Sequence, residues 1–126
     1  MTRRFTTSHE WIERNGDIGL VGITDYAQQE LGPIVYAALP MVGQNVRAGE
    51  EVCVLESSKA ATDIHSPVTG QILAVNPRIT QEPGLLNSHA ETTGWLFQVR
   101  IISEAEWDAL LHVEAYTSLI SYTQTT

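Results

Sequence analysis

The chain has 126 residues, 43% of them hydrophobic, which suits one domain with a modest core and excludes an intrinsically disordered segment. Fifteen acidic residues against seven basic ones give a formal net charge of −8, which disfavours nucleic acid and anionic membrane surfaces as partners. One cysteine, Cys53, excludes an internal disulfide framework, and no apolar run approaches membrane-spanning length.

Taken in chain order, Arg3 and Arg4 are not followed by the apolar core of a signal peptide, and the expected location is a reducing cytoplasm. Glu10–Arg14 and Asp17–Ile23, joined by Asn15-Gly16, read as a tight hairpin. Thr24 is placed to cap a short helix over Asp25–Leu31, which Gly32-Pro33 stops. Ile34–Leu39 is the next strand, with a turn over Pro40–Gly43. Glu51–Glu56 and Ala61–His65 read as two strands around a tip of small residues. Gly49 and Gly70 stand at comparable places before and after that pair and predict turns. Gln71–Val75 follows as a strand, Asn76–Thr93 as mainly loop, and Trp95–Ile101 as the last strand.

The period then changes. Ser103 and Glu106 match a capping box, and Trp107, Leu110 and Leu111 fall at helical spacing. A second helical stretch runs from Glu114 to Tyr122, so the helical segment spans about 103–122, and residues 123–126 should fray. Short strands with helices at the end predict a small β-sandwich with helical additions, one domain over residues 1–126, expected as a monomer.

Lys59 is the one lysine of the chain; the other six cations are arginine. It stands in Glu56-Ser57-Ser58-Lys59-Ala60-Ala61-Thr62-Asp63, at the expected tip of a hairpin over about 51–65. A lysine amine can be acylated, with loss of its charge, whereas an arginine cannot take that part. The other chemistries a sequence can advertise are poorly supported. His9, His65, His89 and His112 are dispersed, and His9-Glu10 lacks the second histidine of a zinc-binding helix. Asp63, His65 and Ser66 are too close along one strand to form a nucleophilic triad. Cys53 in Val52-Cys53-Val54 reads as a packed core thiol, and Trp11, Trp95 and Trp107 as core or helix-docking residues.

The segments Gly43-x-x-Val46-x-x-Gly49, Glu56–Ile64 and Ser66-Pro67-Val68-Thr69-Gly70 resemble the biotinyl/lipoyl-domain family. That family displays a modifiable lysine on a β-hairpin of a flattened barrel-sandwich hybrid. Biotin carriers usually have methionine on each side of the lysine; here the flanks are Ser58 and Ala60, which favours lipoate. Ser8-His9-Glu10-Trp11, Gly22–Gln28, Leu31-Gly32, Leu39-Pro40, Pro83–Ser88, Gly94-Trp95 and Glu114-Ala115-Tyr116 narrow the match. Together they resemble the H-protein family of the glycine cleavage system over roughly residues 5 to 120.

The resemblance implies a carrier rather than an enzyme, with lipoate held covalently on Lys59. It implies a cycle in which glycine decarboxylase loads an aminomethyl group, a folate-dependent aminomethyltransferase removes it, and dihydrolipoyl dehydrogenase reoxidises the dithiol. A lipoate ligase or lipoyl transferase would install the cofactor. Such an arm reaches roughly 12–15 Å from the backbone. Ser8, Glu10 and Asp63 match the positions implicated in holding the amine when the arm folds into a surface cleft, a task suited to carboxylates and a hydroxyl. The alternative is a relay protein donating lipoate to other lipoyl domains. Departures from the family pattern at Ser58 and over Ser88–Thr93 bear on partner surfaces.

Overall fold

A computed structural model describes residues 2–125 of the chain. Nine strands form two sheets. β1 (Thr2–Phe5), β2 (Glu10–Asn15), β3 (Ile18–Ile23), β5 (Asn45–Val46), β8 (Gly70–Val75) and β9 (Phe97–Arg100) form a six-stranded sheet in the order β1-β2-β3-β9-β8-β5. β4 (Ile34–Ala38), β6 (Glu51–Ser57) and β7 (Ala61–His65) form a three-stranded sheet in the order β4-β6-β7. The helices are α1 (Asp25–Leu31), α2 (Pro77–Gln81), α3 (Leu85–Ser88), α4 (Glu104–Asp108) and α5 (Val113–Thr125). The mainly β sandwich with a short internal helix and C-terminal helices is the expected class.

The sheets meet over one apolar core. Ile12, Val21, Ile72 and Phe97 from the larger sheet pack with Ile34, Leu55 and Ile64 from the smaller one, all buried. Burying such a side chain contributes roughly 1.5–3 kcal/mol, so this shared core is what holds β6 and β7 in place. A second cluster lies on the other side of β2, where Trp11, Phe5 and Tyr116 pack together, with the rings of Phe5 and Tyr116 stacked at 4.7 Å. That cluster docks α5 and explains why Trp11 and Ile12, on opposite faces of β2, are both fully buried.

Local chemistry explains the element ends. Thr24 caps α1 by accepting the Ala27 N–H at 3.2 Å. Gly49 lies in the turn before β6 at φ +84°, a conformation that suits glycine, and its N–H donates to the Ser66 carbonyl at 2.8 Å. Ser103 caps α4 by accepting the Glu106 N–H at 3.2 Å, but the Glu106 carboxylate binds the Thr69 N–H and hydroxyl instead of closing the box.

Several expectations are corrected. Thr2–Phe5 is an added edge strand paired with β2. The first hairpin turns at Gly16-Asp17, since Asn15 still pairs with Ile18. Residues 76–93 are not mainly loop. They hold α2, capped by Asn76 with Pro77 at its first position, and α3, whose Asn87 carboxamide binds the Ile34 N–H and the Gly32 carbonyl. The last strand starts at Phe97, not Trp95, because Asn76 holds the Trp95 carbonyl. Gly70 is the first residue of β8, paired with Val46, rather than a turn residue. α5 is helical through 123–125, where fraying was expected, and Thr126 lies outside the described residues.

Candidate functional site

β6 and β7 pair from Glu51↔His65 to Glu56↔Ala61, and the chain reverses through Ser57–Ala60. The Ser57 N–H donates to the Ala60 carbonyl at 2.8 Å, closing the reversal. The Ser58 N–H donates to the Pro33 carbonyl at 3.2 Å, tying the tip to the end of α1. Lys59 stands exposed at this tip, and its ammonium forms no salt bridge among the described residues. An exposed, uncommitted amine on a well-hydrogen-bonded turn can be presented to another protein without disturbing the fold.

A cleft of about 320 Å³ opens beside the hairpin. Its walls come from three places: Ser8 and His9 before β2, Tyr26 to Leu31 along α1, and Thr62 to Ile64 on β7. Asp63 lies two residues down β7 from Ala61, a distance of about 7 Å at about 3.3 Å per strand residue. The cleft therefore begins within the reach of a long group extended from the Lys59 amine.

The acids expected together are in two places. Ser8 and Asp63 share the cleft, and Asp63 is exposed there. Glu10 is only 1% exposed and lines a neighbouring groove with Thr6, Gly49 and His65. Its carboxylate accepts the Thr6 hydroxyl at 2.5 Å, the Ser8 hydroxyl at 2.7 Å and the His65 N–H at 3.0 Å. The His65 ring Nδ1 stands 3.5 Å from the same carboxylate. A buried carboxylate needs such donors, and these fill most of its accepting capacity. Glu10 thus joins the loop before β2 to β7 from below. Because Ser8 donates its proton to Glu10, its oxygen lone pairs are available to accept a donor entering the cleft.

Sequence reasoning missed the remaining lining groups. His9 has φ +74°, an uncommon conformation for a non-glycine residue, and its Nδ1 lies 2.9 Å from the Tyr116 hydroxyl. That hydroxyl also bonds Thr24 Oγ1 at 2.6 Å, so one tyrosine of α5 connects the loop before β2 to the cap of α1. Burial lowers the pKa of His9, and the neighbouring charges of Glu10 and Glu30 partly oppose it. Tyr26 has its ring centroid 4.8 Å from that of His9, and the Glu30 carboxylate one turn further along α1 is the main influence raising its pKa. The Asp-Tyr-x-x-x-Glu spacing of α1 is the signal that places Tyr26 and Glu30 on one helix face.

A family model described as glycine cleavage H-protein matches residues 3–123. The glycine cleavage system H protein of Parvibaculum lavamentivorans is 42% identical over 121 residues, covering 96% of this chain and 97% of that protein. Its counterpart from Alcanivorax borkumensis is 45% identical over 117 residues, covering 93% and 91%. Among solved structures, the glycine cleavage system H protein of Mycobacterium marinum superposes with a TM-score of 0.84 at 33% identity, covering 94% of this chain and 96% of that one.

Proposed function

Because the chain belongs to the glycine cleavage H-protein family, we propose that it works as the lipoyl carrier of that system, with lipoate amide-linked to Lys59. The observation that carries the residue assignment is the pairing of an exposed, uncommitted lysine on a hydrogen-bonded turn with a cleft whose Asp63 wall lies about 7 Å along β7 from Ala61, the first strand residue after that turn. The residues fit the group. Ala27, Leu31 and Ile64 offer apolar wall to a hydrocarbon chain, while Ser8 and Asp63 stand among them as polar partners. When bound, lipoate would supply the dithiolane that takes up and gives up the one-carbon amine.

Every other task falls to the protein. The Ser57–Ala60 reversal holds Lys59 out so that an acylating ligase or lipoyl transferase can reach its amine. The cleft shelters the returned end of the arm from water. Asp63 supplies negative charge to an amine there, and the Ser8 hydroxyl accepts one of its protons. Glu10 keeps Ser8 oriented and enters as support from beneath. The docking partners in this reading are glycine decarboxylase, the aminomethyltransferase and dihydrolipoyl dehydrogenase. The relay reading gains no support from the cleft, because delivering lipoate alone does not need an acidic pocket for an amine.

Peptide mass spectrometry on the protein from its own host tests the assignment. The expected result is a lipoylated Lys59 peptide and loss of carrier function in Lys59→Arg with an unchanged fold. Bare Lys59 in cells whose other lipoyl domains are modified would defeat it.

A further inference from the structure

None of the side chains in the Ser57–Ala60 reversal is buried, so packing does not fix the direction in which Lys59 points. The turn takes its bearing from a neighbouring segment, Gly32–Ile34. Ile34 pairs with Ser57 across the β4–β6 ladder, and the Pro33 carbonyl accepts the Ser58 N–H at 3.2 Å. What fixes that segment is a side chain from elsewhere in the chain. Asn87 of α3 accepts the Ile34 N–H at 2.8 Å and donates to the Gly32 carbonyl at 2.9 Å, so it grips the residues on both sides of Pro33. Its amide also donates to Gln28 Oε1 on α1 at 3.1 Å. A backbone N–H only donates and a carbonyl only accepts, so the two backbone partners settle which way the carboxamide is turned. Gly32, at φ +75° and without a side chain, is by itself the loosest joint of the segment. Asn87 is anchored in turn, because Leu85 and Leu86 of the same short helix are buried in the core.

We propose, resting on the carrier reading, that Asn87 is a positioning residue for the modification of Lys59: through Pro33 it sets the place and direction of the lysine turn relative to the core. An acylating enzyme docked on the domain then meets the amine in one orientation. In that step the neutral amine attacks the carbonyl carbon of an acyl adenylate. A carbon–nitrogen bond forms, the acyl–oxygen bond breaks, and adenylate and a proton leave. Asn87 touches neither reactant. It narrows the range of directions from which the amine arrives, so its loss falls on the rate of transfer at saturating carrier rather than on docking.

The test uses the full chain with Lys59 unmodified, as wild type, Asn87→Ala, Asn87→Asp and Gln28→Ala. Asn87→Asp keeps the acceptor for Ile34 but sets an oxygen against the Gly32 carbonyl; Gln28→Ala leaves both backbone bonds of Asn87 in place. Each protein is lipoylated by a lipoate ligase supplied with lipoate and ATP, well below its melting temperature. We expect kcat to fall roughly threefold to tenfold in both Asn87 variants with KM for the carrier nearly unchanged, and Gln28→Ala to match wild type. Acetylation of Lys59 by N-hydroxysuccinimidyl acetate, which needs no docking, should proceed equally in all four. Amide hydrogen exchange should show the Ser58 N–H protected in wild type and exchanging about tenfold faster in the Asn87 variants. Should Asn87→Ala not fold, Asn87→Asp and the wild-type exchange rate decide. An unprotected Ser58 N–H in wild type, an unchanged kcat in a folded Asn87 variant, or chemical acetylation slowed as much as enzymic lipoylation overturns the positioning role and leaves the carrier reading standing. A wild-type protein that the ligase does not modify overturns the carrier reading, and the positioning role with it.

Discussion

The hydroxyl of Ser57 accepts the backbone N–H of Lys59 at 3.2 Å. It also accepts the Ala60 N–H at 3.2 Å, so one side chain sets the backbone on which the lysine stands. The turn has no buried apolar residue of its own, and its geometry rests on these bonds and the tether from Ser58 to Pro33. An exposed hydrogen bond of this type contributes about 0.5–1.5 kcal/mol locally and little to global unfolding.

Ser57→Ala is therefore expected to leave thermal stability nearly unchanged and to slow lipoylation of Lys59 several-fold, because the ligase meets a less ordered target. Time courses of lipoylation by intact mass, alongside thermal melts, check this. An unchanged rate of modification would show that the Ser57 hydroxyl is dispensable for presentation.

Much of this site was legible in the chain. A lone lysine between small residues, flanked by strand-forming runs, places Lys59 at a hairpin tip without reference to any fold. What was not legible depends on contacts between distant segments. Glu10 is expected beside Ser8 and Asp63 in one cleft, and strand alternation gives no sign that it is buried with Thr6, Ser8 and His65 converging on it. α2 and α3 are too short to show a helical period, and they exist because Ile79 and Leu86 are buried and Asn76 and Asn87 bind distant backbone.

Glu10 offers a direct measure of that convergence. Glu10→Gln replaces one accepting oxygen by an amide that donates, in a site where all three bonded partners are donors. At least one buried bond must be lost, at a cost of about 1–3 kcal/mol. Urea denaturation should show a lowered midpoint with an unchanged slope. A midpoint equal to that of wild type would mean that the carboxylate is not needed to hold the loop before β2 against β7.

Among the glycines, Gly70 leaves the least room for a side chain. A Cβ at this position would lie 1.8 Å from the Arg100 carbonyl oxygen, and that oxygen belongs to β9 and cannot swing aside. Gly70→Ala must separate β8 from the end of β9, with an expected loss of about 3 kcal/mol, at the upper end of overpacking costs. Gly84→Ala, with no atom within 4 Å of the added methyl, is the size-matched comparison and should be nearly neutral. Similar melting temperatures for the two variants would contradict this account of the β8–β9 contact.

Cys53 is buried in β6, and burial pushes its thiol pKa up to about 12. The thiolate is the reactive form, so the folded protein should resist iodoacetamide at mildly alkaline pH and react quickly once unfolded in urea. Mass spectrometry of alkylated protein with and without urea decides the matter. Rapid labelling without denaturant would mean that β6, and the lysine hairpin with it, opens locally far more often than its burial implies.

His9 should impose a pH dependence on stability whose sign can be worked out. Its ring is flanked by Tyr26 and Tyr116, with the charges of Glu10 and Glu30 nearby. Burial is the largest influence and lowers its pKa below the ordinary value of 6.5, while the two carboxylates pull the other way. In the window between the two pKa values the unfolded chain binds the proton and the folded one does not. Stability therefore rises with pH across that window. The stabilisation is fully present above the unfolded pKa and is lost as pH falls through the folded one. His9→Asn removes the titrating ring while keeping a residue that tolerates the positive φ of this position. Urea midpoints measured from about pH 7.5 down to about pH 5 should fall more steeply in wild type than in His9→Asn, since the other titrating groups are common to both. Parallel profiles would show that the His9 proton is bound equally well in the folded and unfolded chain, and that its ring is more open to water than its packing against the two tyrosines indicates.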